Sequence, residues 1–215
     1  MEYLYILSKI AVTLIYSASL TLLCVYGIHR YYLCYIYWKR KKKKIPEAPL
    51  PGKLPKVTVQ LPIYNEMYVA KRLIYSVCAL EYPKGLLEIQ VLDDSTDRTS
   101  EIASDCVSEF RKKGFDVKYI HRSNREGFKE GALSAGLEKA KGDLVAVFDA
   151  DFVTPADFLL KTVPYFSDSG IGIVQARWGH INRDYSALTK AQSILLDGHF
   201  IIEQTSRYKG GMFFN

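Results

Sequence analysis

The polar and apolar positions divide the chain sharply near residue 45. From Ile10 to Ile28 there are nineteen residues without a charge. At 1.5 Å per residue, a helix of that length covers about 30 Å, the thickness of a bilayer's hydrocarbon core. Tyr31, Tyr32, Tyr35, Tyr37 and Trp38 follow, and then the basic run Lys39-Arg40-Lys41-Lys42-Lys43-Lys44. Apolar span, aromatic belt and basic flank predict a transmembrane helix with its C-terminal side in the cytosol. A signal peptide would carry its basic residues before the apolar run, not after it. The six positive charges also suit anionic headgroups of the cytosolic leaflet, so the lipid bilayer is an expected partner.

Beyond the cluster, Pro46, Pro49, Pro51, Pro55 and Gly52 make Ile45 to Lys56 an extended tether. The pattern then alternates between the periods of strands and helices. Strands are predicted at Val57–Ile63, Leu86–Leu92, Val117–His121, Leu144–Phe148 and Ile171–Gln175. Helices are predicted from an Asn65 cap to about Leu80, at Thr99–Lys113, at Phe128–Ala140 and in part of Pro155–Phe166. A long helix is predicted from Ser186 to about Lys209. The Leu144–Phe148 run is wholly apolar, which predicts a central strand. Alternation of this kind specifies an α/β domain with a mostly parallel sheet, whose ligands sit beyond the C-terminal strand ends.

Charge and cysteines narrow the class. The formal net charge is +6. Without the basic cluster, 23 basic residues face 23 acidic ones, so the domain is neutral and nucleic acid is not an expected partner. Cys24, Cys34, Cys78 and Cys106 form no CxxC pair, which supports neither a zinc site nor a disulfide framework. The first strand is not followed by GxGxxG, which disfavours a dinucleotide-binding domain.

Acids gather where strands end. Asp149 and Asp151 follow the Leu144–Phe148 strand, and residues two apart on an extended chain point the same way. Both carboxylates can therefore reach one hard cation that also meets a diphosphate. Asp93, Asp94 and Asp97 follow the second strand, where carboxylates can accept hydrogen bonds from a nucleobase or ribose, and Asp97 or Thr99 can start the next helix. Between them, Gly127 opens a helix N-terminus flanked by Arg125 and Lys129, a combination suited to phosphate.

Four motifs in order are Gln60-Leu-Pro-Ile-Tyr-Asn-Glu66, Val91-Leu-Asp-Asp-Ser-Thr-Asp97, Arg125-Glu-Gly-Phe-Lys-Glu-Gly-Ala-Leu133 and Asp149-Ala-Asp151. With them the chain resembles the processive inverting glycosyltransferases of family 2, in particular the cellulose-synthase-like mannan and glucomannan synthases. Gln175-Ala-Arg-Trp178 and Gly211-Met-Phe-Phe-Asn215 point the same way. The resemblance implies a GT-A fold over residues 57–215, preceded by a transmembrane segment (1–38) and a basic, proline-rich linker (39–56). It implies a UDP- or GDP-sugar donor and a polysaccharide or glycolipid acceptor. It also implies that Asp93 and Asp94 contact the nucleoside with Tyr64 and Glu66 nearby. Lys129 would lie near the diphosphate or donor sugar, and Asp149 and Asp151 would hold Mg²⁺ or Mn²⁺.

Inverting transfer needs a carboxylate base to deprotonate the acceptor hydroxyl. The family's Thr-Glu-Asp-like base motif and its following Gln/Arg-x-x-Arg-Trp motif do not occur here, so the base is expected beyond Asn215 in a longer enzyme. Two other readings compete. Asp149-Ala-Asp-Phe-Val153 also fits the nucleophile loop of haloacid-dehalogenase-like phosphohydrolases, and a non-catalytic nucleotide-sugar-binding membrane protein would keep the same donor residues.

Overall fold

The computed structural model describes residues 2–42 and 47–212. Lys43 and Lys44 of the basic cluster, Ile45 and Pro46 of the tether, and Phe213 to Asn215 lie outside the described residues. The chain forms two units, one made of residues 1–46 with 175–215 and the other of residues 47–174.

The first unit begins with helix α1, Glu2–Arg40. Its best 18-residue window has a mean hydropathy of 1.8, and none of that window is covered by protein, so the helix is long and apolar enough to cross a membrane. Tyr31, Tyr32, Tyr35 and Trp38 are exposed, whereas Leu33 and Ile36 are buried.

The second unit is built on strands β1 (Val57–Ile63), β2 (Leu87–Asp93), β3 (Asp116–His121) and β4 (Leu144–Val147). Helices α2 (Ala70–Cys78), α3 (Thr99–Lys112), α4 (Phe128–Leu137) and α5 (Phe158–Thr162) lie between and after them. All pairings are parallel and the order is β3-β2-β1-β4. The in-out alternation explains the layers. Val57, Val59, Leu61, Leu87, Ile89 and Val91 pack with Leu73, Ile74 and Val77 of α2 and with Ala103, Val107 and Phe110 of α3. Burying each large aliphatic side chain of this set contributes about 1.5–3 kcal/mol.

The opposite face of the sheet is polar yet closed. Register places Thr58 beside Glu88 and Gln60 beside Gln90. Thr58 donates to Glu88 Oε2 (2.6 Å), and Gln60 Nε2 donates to Gln90 Oε1 (3.1 Å) and to Leu133 O of α4 (3.3 Å). Helix α4 comes this near because Gly136 has no side chain; a Cβ there would stand 2.6 Å from Gln60 Nε2 and 2.8 Å from Gln90 Oε1.

Three expectations are corrected. The apolar fourth strand is not central: β4 sits at the edge of the described sheet, with Val145 and Val147 exposed. A run of apolar residues reports hydrophobicity, not how many neighbours the strand finds. Residues 171–175 form no strand and join no sheet ladder among the described residues, and Ile173, just after Gly172, is exposed. Asn65 does not cap α2, which starts five residues later; its backbone is left-handed, at φ 54°.

The chain then returns to the first unit with α6 (Ala187–Asp197), a π-helical stretch (Gly198–Gln204) and α7 (Thr205–Gly210), where one long helix was expected. Ser186 and Thr189 form a reciprocal capping box at its start. Within this unit, Glu203 pairs with Arg30, Ser206 Oγ donates to Leu33 O (2.8 Å), and Lys209 Nζ donates to Arg40 O (3.1 Å). The C-terminal segment thus packs against the Leu33 and Ile36 face of α1, while residues 10–26 stay exposed.

Candidate functional site

A cleft of about 340 Å³ opens at the C-terminal ends of β1, β2 and β4. It is lined by Pro62, Ile63, Tyr64, Glu66, Asp94, Arg125, Lys129, Ala132, Asp149, Ala150 and Asp151. Of the residues expected to form a site, all but Asp93 line it.

The loops that shape the cleft are tied to one another. Asn65 donates its backbone N–H to Ser95 Oγ (2.9 Å), and its Oδ1 accepts the Thr96 N–H (2.9 Å). The left-handed Asn65 thereby joins the turn after β1 to the turn after β2, the role its side chain performs in place of capping. Asp97 accepts the Thr99 N–H (2.9 Å) and starts α3.

Asp93 is fully buried. Its Oδ1 accepts the Ser95 N–H (3.0 Å), and its Oδ2 faces Ser100 Oγ (2.7 Å), Tyr119 Oη (2.6 Å) and His121 Nδ1 (3.0 Å). Burial pushes its pKa up, but the Ser100, Ser95 and Tyr119 donors outweigh burial and hold it below the usual carboxylate value. Burial and the bond to Asp93 push the Tyr119 phenol up to about 12. The carboxylate is therefore spent within the domain and turned away from the cleft.

Asp94 is 4% exposed and faces the cleft. Arg122 grips it in a two-point pair, Nε to Oδ1 at 2.8 Å and Nη2 to Oδ2 at 2.6 Å. The same guanidinium donates to Glu126 O (3.1 Å) and Phe128 O (3.0 Å), which fastens the 122–128 turn to the end of β2. The Asp94 hydrogen bond holds the Arg122 pKa above its ordinary value. The local sequence pattern gives Arg122 no task. The signal lay in register: Asp93 pairs with His121 across β2 and β3, so the next residues, Asp94 and Arg122, leave the sheet side by side.

That turn is strained. Arg125 and Phe128 have φ of 42° and 50°, and Gly127 has 69°. Gly131 is required one turn into α4, because a Cβ there would fall 2.0 Å from Glu126 O. The result is that the Arg125 guanidinium lies over the Tyr64 ring, 3.3 Å from its centroid, and 5.0 Å from that of Phe128.

The other wall is more open. Lys129 Nζ forms an ion pair with Asp149 Oδ1, the two side chains being 53% and 37% exposed. Asp151 is exposed, and its backbone carbonyl accepts from Arg72 Nη2 (3.0 Å). Among the described residues no three His, Cys, Asp or Glu side chains gather into a metal cage. Two carboxylates on one wall of a cleft nonetheless fit Mg²⁺ or Mn²⁺, ions that commonly take one or two carboxylates and complete their shell with phosphate oxygens and water.

The glycosyl transferase family 2 profile matches residues 58–214. A probable glucomannan 4-beta-mannosyltransferase 7 of Oryza sativa subsp. japonica is 43% identical over 159 residues, covering 71% of this chain and 27% of that protein. The glucomannan 4-beta-mannosyltransferase 2 of Arabidopsis thaliana is 37% identical over 213 residues, covering 92% of this chain and 40% of the relative. The chain thus spans less than half the length of these relatives. Among solved structures, the mannosyltransferase PcManGT from Pyrobaculum calidifontis, in complex with GDP-Man and Mn²⁺, matches with TM-score 0.60 and 28% identity. The match covers 74% of this chain and 46% of that one. The parallel sheet with helices on both faces is accordingly a GT-A-like fold, and the chain belongs to glycosyl transferase family 2.

Proposed function

We propose that this chain carries the donor half of a membrane-anchored glycosyltransferase, which binds a nucleoside-diphosphate sugar with a divalent metal and transfers the sugar with inversion to a polysaccharide or glycolipid acceptor. One observation carries this reading: Tyr64, Glu66, Asp94, Lys129, Asp149 and Asp151 converge on one cleft at the strand ends. The mannosyltransferase relatives and the GDP-Man complex of the structural neighbour make GDP-mannose the first donor to test. UDP-glucose is the comparison.

In this reading Tyr64 and Asp94 face the nucleoside, and Lys129 and the N-terminus of α4 face the diphosphate. Asp149 and Asp151 hold Mg²⁺ or Mn²⁺. When bound, the ion neutralises charge on the departing nucleoside diphosphate. Asp93, in contrast, acts on the nucleoside only through the backbone and turn that it fixes. Helix α1 crosses the bilayer through Ile10–Ile28 and leaves the α/β unit in the cytosol, a topology that protease protection in sealed vesicles would check.

Family membership weighs against the phosphohydrolase alternative, as do the three strands that precede β4, since that nucleophile loop usually follows the first strand of its domain. Calorimetry on the full chain with GDP-mannose, UDP-glucose and Mn²⁺ tests the donor site. Metal-dependent binding of one sugar nucleotide is expected, and Asp149→Ala with Asp151→Ala should abolish the metal dependence. Unchanged binding in both variants would sink the metal assignment. Binding by the full-length protein without sugar transfer would leave the non-catalytic reading in its place.

A further inference from the structure

Two carboxylates of the cleft, Asp94 and Asp149, are already paired with cations, and the pairs differ in how easily they can open. Asp94 is held by Arg122 in a two-point pair, the carboxylate 4% and the guanidinium 15% exposed, and Arg122 has two further carbonyl partners. Lys129 and Asp149 meet through a single contact at the mouth, both substantially exposed. A one-point pair in water is weakly held, so its members can exchange partners. Arg125 is a third cation of the cleft, but it stacks on Tyr64 and has no carboxylate partner among the described residues.

Resting on the donor-site reading above, we infer that Lys129 is a placeholder on Asp149 that makes metal binding depend on the donor. Without nucleotide, the ammonium holds Asp149 Oδ1, and its charge opposes a second cation at the same carboxylate. A diphosphate offers Lys129 a better partner, a doubly charged group beside a helix N-terminus. As Lys129 turns to the phosphate, Asp149 is released to act as a metal ligand. One lysine thus links two binding events, and linkage requires the effect to be reciprocal: metal aids the donor by the same factor by which the donor aids the metal. The cleft thereby avoids holding an ion that has no diphosphate to act on.

The probes are Mn²⁺ alone, GDP and UDP, titrated by calorimetry and by the electron-spin signal of free Mn²⁺ into the full chain in detergent. Lys129→Met is expected to bind Mn²⁺ alone about fivefold more tightly than the native chain, the scale of one exposed ion pair. In the same variant, the gain in Mn²⁺ affinity on adding GDP or UDP should shrink by a similar factor. Arg125→Met removes an equal charge from the same cleft and should leave Mn²⁺ affinity without nucleotide within about twofold. Equal tightening in both variants would reduce the effect to general charge and overturn the exchange. Unchanged Mn²⁺ affinity in Lys129→Met would overturn it as well, and Lys129→Gln repeats the measurement with a polar side chain. Failure of the native chain to bind Mn²⁺ with either nucleotide would remove the donor-site reading itself, and the exchange with it.

Discussion

Two strand ends carry a pair of aspartates each, and the structure gives them opposite surroundings. After β2, Asp93 and Asp94 leave a strand that has neighbours on both sides; one is sealed under four polar partners and the other is clamped by Arg122. After β4, at the edge of the described sheet, Asp149 and Asp151 keep solvent contact, with one exposed lysine paired to Asp149 alone. The same residue type at the same topological position therefore serves two purposes. Burial with full hydrogen bonding makes a carboxylate part of the scaffold, whereas exposure with one weak partner keeps it available to a ligand.

The sharpest way to break this contrast is Asp93→Ala. It would remove the acceptor of the Ser95 N–H and leave the Ser100 and Tyr119 hydroxyls only their longer bonds to backbone carbonyls. The expected loss of stability is about 3–5 kcal/mol by denaturant unfolding. A loss below about 1 kcal/mol would show that Asp93 is not the scaffold element described. Arg122→Lys keeps the charge but cannot grip two oxygens and two carbonyls together. A loss of about 1–3 kcal/mol and weaker donor binding are expected, and retained donor affinity would free the 122–128 turn from Arg122.

A fifth carboxylate, Glu88, sharpens the comparison from the far end of β2. Burial pushes the Glu88 pKa up, yet the Lys118 ammonium, the Thr58 hydroxyl and the Lys141 N–H together bring it down to about 2. Because the folded value lies below the ordinary 4.5, this group's stabilisation is complete above pH 4.5 and disappears as pH falls toward 2. Glu88→Gln should flatten the slope of stability against pH across that window, measured by acid unfolding. The smallest effect on stability is expected at the other aspartate pair. Asp149→Ala should shift unfolding by less than about 1 kcal/mol while Mn²⁺-dependent donor binding is lost. A large loss of stability there would erase the distinction between the two pairs.

Much of this was legible before any coordinates. Strands β1 and β2 alternate cleanly enough to be bounded within a residue, and chain order alone places Asp94, Asp149 and Asp151 at strand ends and Lys129 at a helix N-terminus. What stayed hidden depends on partners distant in sequence. The split between Asp93 and Asp94 requires knowing that Tyr119 and His121 lie under one of them. The work of Arg122 follows from the pairing of β2 with β3, which no local pattern states. The edge position of β4 was misread because Leu-Val-Ala-Val is apolar whether one strand or two flank it. Asn65 looked like a cap because capping is what asparagine most often does before a helix; a left-handed tie to Thr96 has the same local signature.

The turn that presents Arg125 has a consequence for anyone who tries to stabilise this protein. Two non-glycine residues with positive φ in four positions are held against their own backbone preferences. Selection for thermal resistance alone would favour glycine at positions 125 and 128, since relieving such strain is among the easiest gains available. It would also delete the guanidinium that covers Tyr64. A hardened variant made this way would keep its fold and lose the wall of its cleft, so improvement by melting temperature should treat residues 125–128 as untouchable.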